Sequence, residues 1–108
     1  MIELTNKNID KLSVAIIKQA VNDYIENRKL WFVADRLGGN PDLYRKHIWE
    51  KYVELMGFFG GQYFAEMSKL DNIGGFIAKI DGEVEKWRTN AYEVNEFIRR
   101  HRSKKTES

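Results

Sequence analysis

NIGGFIAKIDGEVEKWRTNAYEVNEFIRRH, residues 72–101, is the stretch whose reading decides the fold. Ile77, Ile80, Val84, Trp87, Ala91, Val94 and Ile98 follow one another at alternating steps of three and four. Polar and charged residues fill most of the positions between them. Such spacing draws one apolar seam along a helix, and a seam of that length needs a partner over its whole extent. The same spacing suits the packing edge of a helical bundle or a coiled coil. Gly82 interrupts the run at a cost of about 1 kcal/mol relative to alanine, yet the seam keeps its phase across it, so a single long helix is expected over 72–101. Asn90, with Glu93 three residues on, is a capping pattern that offers the alternative of a break near Thr89.

Upstream, no Gly or Pro occurs between Asn8 and Leu37. Ile9, Leu12, Ile16, Ala20 and Tyr24 share a helical face, which Ile17 and Val21 broaden. Leu30, Trp31 and Ala34 arrive almost in phase with it. The segment reads as one helix, or as two with a break around 27–29. Its stripe, from Ile9 to Tyr24, is expected to pack on the seam from Ile77 to Ile98. Asp23 lies at the edge of the stripe and is expected to pair with an Arg or Lys. Gly38-Gly39 stops the helix, and Asn40-Pro41 restarts it with a good cap and a preferred first residue.

The next helix, expected over 41–57, carries a core face of Tyr44, Ile48, Tyr52 and Leu55. A second face bears Arg45, Trp49, Val53 and Met56, so this helix is either sandwiched or displays Trp49. Gly60-Gly61 separates it from a short helix over 62–69 whose Tyr63, Phe64 and Met67 are expected inward. Asp71-Asn72 caps the long C-terminal helix, and Gly74-Gly75 in its first turn is explained by close approach of a neighbouring backbone. The fold class is therefore all-α: a compact bundle of four or five helices with a long C-terminal amphipathic helix. Residues 1–101 form one helical domain and 102–108 a basic flexible tail.

Composition narrows the function. The 108 residues, 43% hydrophobic, suit one domain with a modest core. No apolar run approaches the length of a membrane span, and MIELTNKNIDKL does not resemble a secretory signal. The absence of cysteine from the sequence removes disulfides and thiolate metal sites. The net charge of +2 conceals an asymmetry. Arg99, Arg100, Arg102, Lys104 and Lys105 crowd the last ten residues beside a single acid, Glu107, so the rest of the chain carries −2. That basic end is either a solvated helix terminus favoured by the helix dipole or an arm for phosphates or an acidic partner. His47 and Glu50 can share a face but fall short of a metal ligand set, and His101 is expected in solvent. No glycine pair follows a strand as a phosphate loop requires, and no Ser or Thr has a nucleophile's context. No enzyme, cofactor, metal or small-molecule substrate is expected.

The most specific local pattern is VADRLGGNPDLYRKHI, 33–48. A small Ala34, Gly38 four residues later and a restarted basic helix form the layout of a helix-turn-helix. On that reading Arg45, Lys46 and Trp49 face outward, Arg36 and Lys51 approach phosphates, and Arg99, Arg100 and Arg102 act as an auxiliary clamp. Position 39, which normally carries an apolar plug, is glycine, and Asp42 and Glu50 dilute the charge. A purely structural helical corner would share the layout. Leu37-Gly38-Gly39-Asn40-Pro41, followed by Arg45-Lys46 and Ile48, resembles small phage and prophage proteins with an LG-x-D/N-P-x-x-x-R signature. AIIKQAVNDY (15–24) and FFGGQYFAEMSKLD (58–71) resemble a second group of short helical proteins, from phages and mobile elements of Gram-positive bacteria. These resemblances imply a mobile-element origin and a helical domain, with no assigned catalytic residues to carry over; a location in the cytoplasm of the bacterial host is expected. The leading expectation is a helix-turn-helix-like DNA binder. The alternative is a protein-binding inhibitor of a host defence system, such as an anti-CRISPR protein, that uses Trp49. A third is a structural protein that makes a homo-oligomer through its C-terminal helix.

Overall fold

The computed structural model describes residues 11–106, and side chains from 12 to 102. Among these residues there are five α-helices and no strand: α1 (Lys11–Val33), α2 (Pro41–Phe59), α3 (Gln62–Ser68), α4 (Ile73–Arg88) and α5 (Ala91–Thr106), with a 3₁₀ turn at Ala34–Arg36. The body measures 44 × 26 × 24 Å. Its spine is α1, whose 23 residues rise about 34 Å.

Helix α1 passes without a break through the region where two helices are the alternative. Asn27, in the middle of that region, is buried, and its side-chain amide donates to the Ile48 carbonyl at 2.9 Å, tying α1 to α2. After Leu37 the chain turns through Gly38 and Gly39, both left-handed at φ +83° and +74°. Side chains rarely adopt that backbone, so the glycines are required there. Asn40 then caps α2, its Oδ1 accepting from the amides of Asp42 at 3.0 Å and Leu43 at 3.3 Å. Asn72 caps α4 by accepting from the Gly75 amide at 2.9 Å. A Cβ at Gly75 would lie 2.8 Å from the Asn72 side chain, so what approaches here is the amide of the cap residue and not a neighbouring backbone.

Two cores lie along α1. The first joins Ile17, Ala20 and Tyr24 to Leu55, Phe59, Phe64, Met67, Phe76 and Ile80. The second joins Val33 and Leu37 to Trp87, Val94, Phe97 and Ile98. Between them the Tyr24 hydroxyl donates to Asp81 at 2.7 Å. Burial, and then that hydrogen bond, push the phenol well above its ordinary range, so it stays protonated.

The single long helix expected over 72–101 is two helices. Gly82 does not break α4, which continues to Arg88; the break is at Thr89–Asn90. Thr89 closes α4 with its hydroxyl on the Lys86 carbonyl at 2.8 Å. Asn90 opens α5 by accepting from the Glu93 amide at 3.1 Å. Helix α5 then turns back toward the middle of α1, bringing Phe97 beside Lys29 and His101 within 3.1 Å of Glu26. The seam divides accordingly: Phe97 joins it, whereas Ala91 lies outside it, exposed. Because Asn90 holds this corner, Asn90→Ala should cost about 1 kcal/mol, the usual worth of an N-cap. Thermal unfolding of the variant checks this, and an unshifted melting curve would show that packing alone sets the corner.

Other expectations need correction. Leu12 is 70% exposed and Tyr63 62% exposed, whereas Phe64 and Met67 are buried. Ile9 lies outside the described residues. Asp23 accepts a hydrogen bond from the amide of Gln19 at 2.8 Å rather than pairing with a cation. His101 is not in open solvent. Its Nδ1 meets the Phe97 carbonyl at 2.9 Å and its Nε2 meets Glu26. Helical backbone continues to Thr106, through much of the segment expected as a flexible tail. The seam expected to serve a homo-oligomer is largely consumed inside the fold, since Ile80, Val84, Trp87, Val94 and Ile98 are all buried.

Candidate functional site

Of the side chains singled out around the turn, Arg45 and Trp49 lie along the solvent edge of the α1–α2 pair. The two helices run antiparallel. Tyr24 of α1 therefore faces Tyr52 of α2 at 6.4 Å between rings, and Asp35, beyond the end of α1, meets Arg45 near the start of α2. Helical spacing does the rest. Positions 24, 28 and 31 project from one face of α1, and positions 45, 49 and 52 from one face of α2.

Trp49 is the centre of this edge. It is 55% exposed and stacks on Tyr52 at 5.3 Å with an interplanar angle of 24°. The Arg28 guanidinium lies 5.7 Å from the Tyr52 ring centre. At the other end Arg45 lies 5.9 Å from the Trp31 ring, itself partly exposed. Val53, next along α2, is also exposed. The α2 face expected either to be sandwiched or to display Trp49 therefore displays it. Trp, Tyr and Arg are the residue types enriched where proteins bury surface against one another.

The expected cations are placed less favourably for a nucleic acid. Arg45 is bound to Asp35 at 2.9 Å across the turn, and Lys51 to Glu54 at 3.6 Å along α2. Arg36 stacks over Phe32 at 5.3 Å. Lys46 is exposed and makes no ion pair within 4 Å among the described residues. On α5, Arg99 is paired with Glu96; that hydrogen bond holds the Glu96 carboxyl below the usual range and raises the guanidinium. Arg100 and Arg102 are exposed on the same helix. Arg45 and Trp49 thus share one edge, whereas Arg36 lies over Phe32 beside Arg88, Lys51 lines a shallow hollow with Asp23, Tyr44 and His47, and the three α5 arginines lie on a separate helix.

The turn shares two local features with a helix-turn-helix pattern, but the antiparallel course of α1 and α2 differs from the crossing of about 90–120° usual there. Ala34 is fully buried, and Gly38 takes the left-handed conformation. Gly39 stands where an apolar plug is usual. A Cβ there would lie 3.4 Å from the Tyr44 ring, so Tyr44, with the buried Leu37, fills the space. The first exposed residues of α2, where such helices read bases, are Asp42 and Leu43.

Arg28, Trp31 and Tyr52 are site residues that the sequence does not single out. Arg28 and Trp31 are three apart on α1, which hints at a shared face, but only the antiparallel packing sets Arg28 over Tyr52 and Trp31 beside Arg45. His47 and Glu50 do share a face, at 3.5 Å. Among the described residues no group of three or more His, Cys, Asp or Glu side chains is placed to hold a metal ion. No helix among them is long and apolar enough to cross a membrane. No known family model, curated protein or solved structure matches the chain significantly.

Proposed function

We propose that this chain is a non-enzymatic protein-binding module that docks a protein partner on the α1–α2 edge centred on Trp49. It would act as an inhibitor of the kind mobile elements direct against host defence. The observation that carries the reading is the exposed Trp49, already stacked on Tyr52 and flanked by Arg28, Trp31 and Arg45. A ring held in place before binding loses little rotamer freedom when it enters a partner's pocket. The mobile-element setting rests on the resemblance of residues 37–48 to phage and prophage proteins.

DNA binding, the leading expectation from sequence, becomes the second reading. The buried Ala34, the left-handed Gly38 and the Asn40 cap favour it. Against it, Arg45 and Lys51 already have carboxylate partners, and the first turn of α2 presents Asp42.

The two readings separate in one experiment. Trp49→Ala and Arg45→Ala are titrated against duplex DNA and against a host protein captured by the parent chain, each at two salt concentrations. For a protein module Trp49→Ala should weaken the protein complex by about 2 kcal/mol or more, whereas a rim arginine costs little. That loss should be nearly indifferent to salt. Binding to duplex that falls steeply with salt, and that Arg45→Ala impairs while Trp49→Ala does not, would overturn the proposal in favour of DNA.

A further inference from the structure

On the other side of α1, facing α4 and the start of α5, lies a groove of about 660 Å³. Its floor is apolar: Ile17, Val21 and Ile25 from α1, and Phe76, Ile80 and Trp87 from α4. From Ile17 to Lys29 the helix rises about 18 Å, which sets the groove's length. That volume falls within the range of about 300–1,000 Å³ typical of small-ligand sites, which combine apolar walls with a few polar groups.

The rim is cationic. Lys18, Lys29, Lys79 and Lys86 line it against Glu83 and Glu93, a formal excess of two positive charges. This excess stands on a chain that is net negative before residue 99. Lys86 is partly neutralised by Glu83 at 3.7 Å. Lys18 and Lys79 are exposed, whereas Lys29 is half-buried. Its ammonium lies 5.0 Å from the Trp87 ring centre and 5.9 Å from that of Phe97, and it makes no ion pair within 4 Å among the described residues. Burial lowers its proton affinity; Glu93 opposes this, and Arg100 adds to it. An anion brought beside Lys29 would relieve that cost, because an opposite charge favours the charged form.

We infer that this groove binds a small anionic amphiphile, a carboxylate with an unbranched hydrocarbon chain, whose head pairs with Lys29 and whose chain covers the half-buried Val21 and Ile25. The single half-buried cation matches one anionic head on an apolar body, rather than the row of acids a peptide would bring. The site is independent of the Trp49 edge.

The test uses sodium decanoate below its micelle concentration, with decan-1-ol as the uncharged counterpart, followed by ¹⁵N–¹H correlation spectra of the full chain. Decanoate should cause saturable shifts at the Trp87 indole and the Asn22 and Asn90 side chains. Lys29→Met keeps the apolar stem and removes the charge. It should weaken decanoate at least about tenfold, the worth of one hydrogen bond to a charged group, and change decanol by less than about twofold. Lys29→Gln gives a second reading of the same charge. Val21→Glu, on the floor, should abolish binding of both ligands. Unchanged circular dichroism melting is the check that each variant is folded. Trp49→Ala should bind decanoate like the parent, so failure here leaves the protein-binding reading untouched. Non-saturable shifts, shifts gathered on α2, or equal decanoate affinity for the parent, Lys29→Met and Lys29→Gln would overturn the inference.

Discussion

Replacing Trp87 with alanine should destabilise the protein by about 3–5 kcal/mol, the cost of removing a large ring from a core. The ring is 6% exposed. It meets Phe32 at 5.9 Å and Phe97 at 5.4 Å, both edge-on, with the Lys29 ammonium over its face. These contacts come from two helices, α1 and α5, so the ring sits where α1, α4 and α5 meet. A domain of this size has about 5–15 kcal/mol in total, so the loss is a large fraction of it. Urea denaturation of parent and variant measures the effect. Hydrogen exchange should also quicken in α5 before α1, because Trp87 is what α5 folds back onto. Overlapping denaturation curves would take Trp87 out of the core.

Phe64→Ala should be comparably damaging, again about 3–5 kcal/mol, for a different reason. Helix α3 has only seven residues, too few to be stable alone. Fully buried Phe64 holds it against Phe59 at 5.1 Å, Phe58 at 5.4 Å and Phe76 at 6.0 Å. Without that ring α3 has Met67 and Ser68 left as buried anchors. Amide exchange should therefore show α3 opening locally, at a lower free energy than global unfolding. Phe64→Leu, which keeps most of the volume, should cost far less. Equal losses for Leu and Ala would mean that the aromatic geometry, not the filled volume, holds α3 in place.

Much of the fold is legible in local signals. Asn40 before Pro41, Asn72 before Ile73 and Asn90 before Ala91 each cap a helix, and Gly38-Gly39 takes the left-handed turn that its composition announces. These features depend on residues within three or four positions of one another. Periodicity misplaces Tyr63 because α3 is about two turns long, and so short a run does not define which of two adjacent rings, Tyr63 or Phe64, faces inward. It misplaces His101 because the carboxylate partner, Glu26, is 75 residues away, beyond any local pattern. Trp49 is readable as a displayed ring, whereas the Asp35 carboxylate that occupies Arg45 is reached only across a turn whose path the sequence leaves open.

What the sequence determined by itself is the all-helical class, the caps at Asn40, Asn72 and Asn90 and the apolar face of most helices, since these depend on a period of 3.6 residues and on side chains bonding to nearby backbone. Whether 72–101 is one helix or two it left open. Tertiary structure alone decided the direction of α5. Steps of three and four keep their phase across a corner as well as along a straight helix, so the seam from Ile77 to Ile98 is compatible with both. The choice falls to packing: one straight helix would carry Phe97 and His101 past the end of α1, whereas the corner at Thr89–Asn90 buries Phe97 beside Trp87 and gives His101 its two acceptors.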